Sequence, residues 1–172
     1  MANNKTAKTL TIVLVIVIIG GIFVYKQMGR IKNSGDAGGK YPLEIEKIDM
    51  QTVTGYGLPT IIDASADNCP PCKKMAPDIK ALHKEYDGKA VIQTINVSKH
   101  GDGIKDWPVQ VTPALFFFNA DGTPYVPSKD MLSRISFSKY NNKATGEHIF
   151  TTHEGSLTKS ELKDVLKDMG VK

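Results

Sequence analysis

The stretch LPTIIDASADNCPPCKKMAP, residues 58 to 77, constrains this chain more than any other. Its first part is a short apolar run after a Gly/Pro breaker, bounded by polar residues, which reads as a buried strand over 58–65. Its second part opens a helix. Met75, Ile79, Leu82 and Tyr86 recur at spacings of four, three and four, which is one helical face, and Gly88 ends it. Pro77 sits inside that pattern and is expected to kink the helix. The only two cysteines of the chain, Cys69 and Cys72, stand at the junction with Pro70 and Pro71 between them.

Three readings of the pair compete. A zinc site takes about four ligands, and two cysteines supply half. His83, His100, His148 and His153 are scattered without ligand spacing, so a metal would have to be shared between chains. A structural disulfide closing so short a loop contributes little, because stabilisation grows with loop length. A redox pair explains the setting. Cys69 at the helix start faces free backbone N–H groups and the positive end of the helix dipole, which favours its thiolate as the attacking group. Cys72, one turn on, resolves the mixed disulfide. A C-x-x-C beside a β-α-β pattern is the sequence signal for that class. Pro70 and Pro71 lack N–H donors, leaving the Cys72 and Lys73 amides to stabilise the thiolate. A thiolate with few donors biases the pair towards reduction of substrates.

The rest of the domain fits a β-α-β unit followed by an antiparallel pair. AVIQTINV (90–97) reads as a second strand and GIKDW (103–107) as a short helix ended by Pro108. ALFFFNADG (114–122) reads as a third strand entering an Asp-Gly turn, and HIFTTHEG (148–155) as a weaker fourth. Thr158 and Glu161 form a capping box for a last helix with Leu162, Val165, Leu166 and Met169 on its apolar face. LEIEKIDMQTVTGYG, before the first strand, has room for a short edge strand and a helix.

The front of the chain is different. Between Lys8 and Lys26 lie 17 uncharged residues, almost all apolar from Leu10 to Tyr25. As a helix they span roughly 25 Å, and lysine snorkelling makes up the difference from a hydrocarbon core of about 30 Å. No small-residue cleavage site follows, so residues 1–26 read as a retained signal anchor crossing the membrane at 10–25 rather than a cleaved signal. Positive charge is close to tied across the segment and does not orient it. Residues 27–42 are polar and glycine-rich, a flexible tether, and a single folded domain occupies 43–172. Residues 1–32 hold five basic and no acidic residues, which leaves 17 basic against 18 acidic beyond them. The near-neutral domain offers no basic face for nucleic acid.

Three stretches in order resemble the thioredoxin family: TIIDASADNCPPCKKMAP, VTPALFFFNADG, and HEGSLTKSELKDVL with its Gly155 and last helix. The resemblance implies a thioredoxin fold, a central mixed sheet flanked by helices, with no cofactor beyond the redox-active Cys69–Cys72 disulfide and no metal. It implies a cis bond before Pro113 and a Thr112 backbone that pairs with an extended substrate peptide. Pro70 and Pro71 join these two as substrate-contacting residues. Asp63 would lie buried behind Cys72, its pKa raised by desolvation, and accept the Cys72 proton. The alternative for Asp63 is a strand-end carboxylate bonded to nearby amides.

Departures from the family pattern narrow the expectation. Ser65 and Asn68 stand where thioredoxins carry tryptophans, and Thr94 stands where cytosolic thioredoxins place the lysine partner of the buried aspartate. They point to a selective client rather than general disulfide reduction. Trp107 reads as a packing residue. An insertion at about 123–147, with a short helix near 128–135, is either a partner-recognition element or decoration. The resemblance to anchored bacterial members implies an extracytoplasmic domain on the cytoplasmic membrane that reduces exported proteins or serves cytochrome c maturation. Its partners would be disulfide-containing proteins and a transmembrane electron donor, whose encounter the tether favours. An oxidase or isomerase, and a non-catalytic binding module with a structural disulfide, are the alternatives.

Overall fold

β2 (Thr60–Ser65) lies near the middle of a six-stranded sheet and organises everything around it. The computed structural model describes residues 39–172. The expected membrane segment at 10–25 and most of the tether lie outside the described residues. Among the described residues no helix is long and apolar enough to cross a membrane.

In chain order the elements are β1 (Glu44–Ile45), α1 (Met50–Gly55), β2, α2 (Pro70–Glu85), β3 (Val91–Asn96), α3 (Val97–His100), a 3-10 turn (Gly101–Gly103) and β4 (Ala114–Phe118). There follow α4 (Lys129–Arg134), β5 (Ser138–Asn141), β6 (His148–Glu154) and α5 (Lys159–Asp168). The strand order is β1-β3-β2-β4-β6-β5. β1, β3 and β2 are parallel, while β4, β6 and β5 join antiparallel. The sheet is therefore mixed, as expected, and the apolar strands β2 and β4 lie inside it.

Strand alternation divides the core in two. Ile61, Leu115 and Phe117 pack with Met75, Ile79 and Leu82 of α2 and with Leu162, Val165 and Leu166 of α5. Ile62, Ala64, Phe116 and Phe118 pack on the other face with Val53, Ile104 and Trp107. The capping box of α5 forms as expected: Thr158 caps the Glu161 amide and Glu161 reaches back to Thr158. Tyr41 packs edge-on against Tyr56, with ring centroids 4.8 Å apart, where the fold begins.

Two expectations need correction. GIKDW is not a helix. The helical turns come earlier, at 97–103, because Asn96 caps the Ser98 amide and starts α3 at once after β3. Trp107 is then free to drop into the aromatic cluster. The insertion is also more than an excursion. It carries the expected helix, α4, capped by Ser128, but also the unexpected edge strand β5. Tyr125, Met131 and Ile135 enter the core beside α5. Pro77 lies inside α2, which runs on through it to Glu85.

Candidate active site around Cys69 and Cys72

The N-terminus of α2 and the C-terminal end of β2 meet at the cysteine pair. Cys69 is the N-cap residue, in extended conformation, and Pro70 and Pro71 occupy the first helical turn, where proline is tolerated. Cys69 and Cys72 are joined as a disulfide, and both are buried. The Cys72 amide donates to Cys69 Sγ at 3.2 Å. The Lys73 amide, expected to serve the same sulfur, donates instead to the Cys69 carbonyl at 3.1 Å. With both prolines lacking a donor, the Cys72 amide is the only amide of residues 70–73 bonded to the sulfur.

The Thr112–Pro113 bond is cis, and Pro113 is buried beside the pair. Cys69 Sγ lies 3.4 Å from the Thr112 carbonyl oxygen. A disulfide sulfur has no proton to give, so this contact becomes a hydrogen bond only when Cys69 is a thiol. The Gly155 amide donates to the Pro113 carbonyl at 2.9 Å, and Gly155 takes φ of 113°, which glycine adopts without strain. The structure thus brings Cys69, Cys72, Thr112 and Pro113 together, with Pro70 and Pro71 exposed at the rim.

Asp63 is 3% exposed, on the sheet face that carries α2. Its register neighbours are Thr94 on β3 and Leu115 on β4. Thr94 Oγ1 donates to Asp63 Oδ2 at 3.1 Å, while Oδ1 has no hydrogen-bond partner. Burial pushes the carboxyl up to about 7, and the Thr94 hydrogen bond offsets only part of that. The alternative of a carboxylate satisfied by amides does not hold, because its one hydrogen bond comes from a hydroxyl. Ser65 Oγ is 3.3 Å from Thr94 Oγ1. The residues at the places of the family's tryptophan and lysine therefore touch each other.

Sequence reasoning missed a second set of residues. Asn96 donates to Asp67 at 2.7 Å and Ser98 Oγ accepts from the Asp67 amide at 3.2 Å, which ties the loop before Cys69 to the start of α3. The Asn96 bond holds the exposed Asp67 carboxyl below its ordinary range, with Lys99 and Lys73 adding to it. Ser156 Oγ donates to the Pro71 carbonyl at 3.4 Å. The cap-like Asn-Val-Ser after β3 was the available signal for Asn96. Nothing marked Ser156 except its place after Gly155.

Among the described residues, no group of three or more His, Cys, Asp or Glu side chains has a metal-holding arrangement. A groove of about 820 Å³, lined by residues that include Lys47, Met50, His100, Trp107 and Phe150, includes neither cysteine. A disulfide at a helix start, with a cis-proline beside it, is an arrangement suited to thiol–disulfide exchange.

Comparison with known proteins agrees with that geometry. The thioredoxin family model matches residues 49–134. A thioredoxin 1 of Chlorobaculum tepidum is 41% identical over 61 residues, 36% of this chain and 60% of that protein. A thioredoxin-like protein of Synechocystis is 27% identical over 127 residues, covering 73% of this chain and 93% of that one. A thiol:disulfide interchange protein TxlA homolog, also of Synechocystis, is 31% identical over 78 residues, 45% of this chain and 38% of that protein. The chain thus spans less than two thirds of the first and third of these.

Proposed function

The chain belongs to the thioredoxin family, and on that premise we propose that it is a membrane-anchored thiol–disulfide oxidoreductase working as a reductase. In the forward step Cys69 thiolate attacks a substrate disulfide. One substrate sulfur leaves as thiolate and a mixed disulfide forms. Cys72 then attacks Cys69 Sγ, the second substrate sulfur leaves, and the Cys69–Cys72 disulfide remains. Two electrons have passed from the pair to the substrate. A dithiol donor returns them to the pair for the next cycle.

The observation that carries this reading is the placement of Cys69 Sγ, on the helix start and against the Thr112 carbonyl. The attacking sulfur, its helix-end donor and a backbone edge for a substrate peptide occupy one place. The test is capture. In Cys72→Ser the mixed disulfide has no resolving thiol and accumulates, and its partner is identified after gel separation without reductant. A variant that traps nothing through Cys69 would favour a binding module with a structural disulfide.

The donor count supports electron flow from the pair to the substrate. One amide on Cys69 Sγ stabilises its thiolate weakly, so the reduced pair is not strongly favoured and tends to give its electrons away. A measured potential near about −120 mV, as in strong dithiol oxidants, would reverse the assignment to oxidase or isomerase.

The apolar segment at 10–25 supports a place on the cytoplasmic membrane, and the resemblance to anchored bacterial members, not the nearly tied flanking charge, supports a domain outside the cytoplasm. Clients are then exported proteins or apocytochromes c, and the electron donor is a membrane dithiol protein. Alkaline extraction of membranes and protease access in intact spheroplasts test this. Release by alkali, or protection from protease, counts against it.

A further inference from the structure

We propose that Thr94 and Ser65 form a hydroxyl relay that carries the proton of Asp63 out to solvent during the resolving step. This rests on the reading of Cys72 as the resolving thiol and Asp63 as its base.

Asp63 is sealed in, and Thr94 supplies its one hydrogen bond. A proton that arrives there needs a way out, since water does not reach a carboxyl so deeply buried. The exit is a chain of oxygens: Asp63 Oδ2, Thr94 Oγ1 at 3.1 Å, and Ser65 Oγ a further 3.3 Å on. Thr94 and Ser65 are both half-buried, so the chain runs from the interior towards the surface. Strand geometry builds it. Thr94 stands opposite Asp63 in the parallel ladder, and Ser65 lies two residues along β2 on the same face.

A hydroxyl has one proton to give and lone pairs to receive with. While Asp63 is a carboxylate, Thr94 gives it a proton in a hydrogen bond, so Ser65 must donate to Thr94. When Asp63 is protonated at Oδ2, every bond in the chain can reverse: Asp63 donates to Thr94, Thr94 to Ser65, and Ser65 to water. An ammonium in the place of Thr94 donates only, and would hold the carboxylate charged without taking a proton from it.

The influences on Asp63 are burial and the Thr94 hydroxyl. The neighbours that β3 and β4 set against it, Thr94 and Leu115, carry no charge. From α2 the residues packed on this face are the uncharged Met75, Ile79 and Leu82, and Cys72 stands at the start of the same helix. The charged groups of the active-site loop and its surroundings, Asp67, Lys73 and Lys99, are exposed.

The balance of the step is as follows. Cys72 loses its proton to Asp63 and forms a bond to Cys69 Sγ. The bond from Cys69 to the substrate sulfur breaks, and the substrate leaves with the electron pair as thiolate. Asp63 passes one proton through Thr94 and Ser65 to water. The two electrons came from a dithiol reductant that had reduced the pair beforehand.

The test uses the full-length protein in detergent, reduced with dithiothreitol, desalted, and mixed by stopped flow with a chromogenic aromatic disulfide. Attack by Cys69 releases one coloured thiolate, and attack by Cys72 releases a second. In dilute buffer, Ser65→Ala should slow the second release relative to the first by roughly tenfold, within the range of general acid–base effects. Its pH midpoint should stay in place, and added imidazole should restore the rate by carrying the proton instead. Thr94→Val should slow the second release and move its midpoint upward, since the hydroxyl that lowers the Asp63 pKa is gone. Thr94→Ser should keep both near wild type. A second release in Ser65→Ala at the wild-type rate overturns the relay, and so does a slowed release that imidazole does not restore. Failure of the underlying reading looks different: wild-type protein gives no second release, or Asp63→Asn leaves it unchanged.

Discussion

The two faces of the sheet are built from the same strands and both pack a hydrophobic core, but only one of them also buries a charge-bearing group. On one face Trp107 packs against Phe116, Phe118 and Phe150 with ring centroids 4.9, 5.5 and 5.1 Å away. That face is aromatic at its centre, and its cluster includes neither cysteine. On the other face, under α2, the same β2 strand buries Asp63 with one oxygen unpartnered. Ile62 and Asp63 are adjacent in sequence, and the pleat alone sends them to these two environments. The lesson is that both faces supply cohesion, but only the α2 face also holds a buried carboxyl, and packing must offset what that group costs whenever it is charged.

The sharpest break in this comparison comes from the pair itself. Cys69→Ser should bring disulfide reduction down to the uncatalysed rate while the far-ultraviolet spectrum and the aromatic face stay as they are. A reductase assay with any small disulfide reads it, and residual catalysis would mean that Cys72 attacks substrates directly. Next in size is Trp107→Ala. Loss of a buried aromatic in a packed cluster costs about 3–5 kcal/mol, read as a lower urea midpoint. The redox potential of the pair should not move. If it does, the two faces are coupled and the comparison fails.

Much of this arrangement was legible in the sequence because it is written locally. The strand–CPPC–helix passage, the capping box at Thr158 and the apolar run Ala114–Phe118 each carry their signal within a dozen residues. Asp63, Pro113 and Thr94 were found through family resemblance, since nothing local says that a β2 carboxyl faces a β3 hydroxyl 31 residues away. β5 was hidden for a physical reason. Ser138–Asn141 is an edge strand with three exposed residues, and its polar sequence SKYN lacks the alternation of a half-buried strand. Its pairing comes from β6, whose register it follows through a bulge at Tyr140/Asn141. The Asn96–Asp67 tie was equally hidden, because it joins the end of β3 to the loop before Cys69 through side chains distant in sequence.

The buried carboxyl gives the comparison its pH dependence. Folding raises the Asp63 pKa from 3.8 to about 7. The folded state therefore holds a proton that the unfolded state has released over that interval. Stability from this group is complete below about pH 4, declines between 4 and 7, and is lost above 7. Asp63→Asn removes the titration. It should raise the stability of the oxidised protein at pH 8 by about 2–4 kcal/mol and change it little at pH 4. Urea unfolding at both pH values reads the difference. An equal gain at both would mean that packing, not ionisation, sets the cost.

The smallest effect is expected where the insertion joins the α2 face of the sheet. Tyr125 is buried in that core, and its hydroxyl donates to the Asp168 carboxylate at the end of α5. The Ser128 amide donates to the same carboxylate at 3.0 Å, so one side chain holds both ends of the approach to α4. Burial and the Asp168 carboxylate both raise the Tyr125 phenol above its ordinary range, so the O–H remains the donor at neutral pH. Tyr125→Phe keeps the ring contact with Phe117, removes this one bond, and leaves Asp168 its Ser128 partner and access to water. The cost should be about 1 kcal/mol. Urea denaturation measures it, and amide exchange should be faster over 125–135 with little change at α2. If the potential of the Cys69–Cys72 pair shifts as well, the insertion is coupled to the redox site through α5 and is more than an addition to the core of the α2 face.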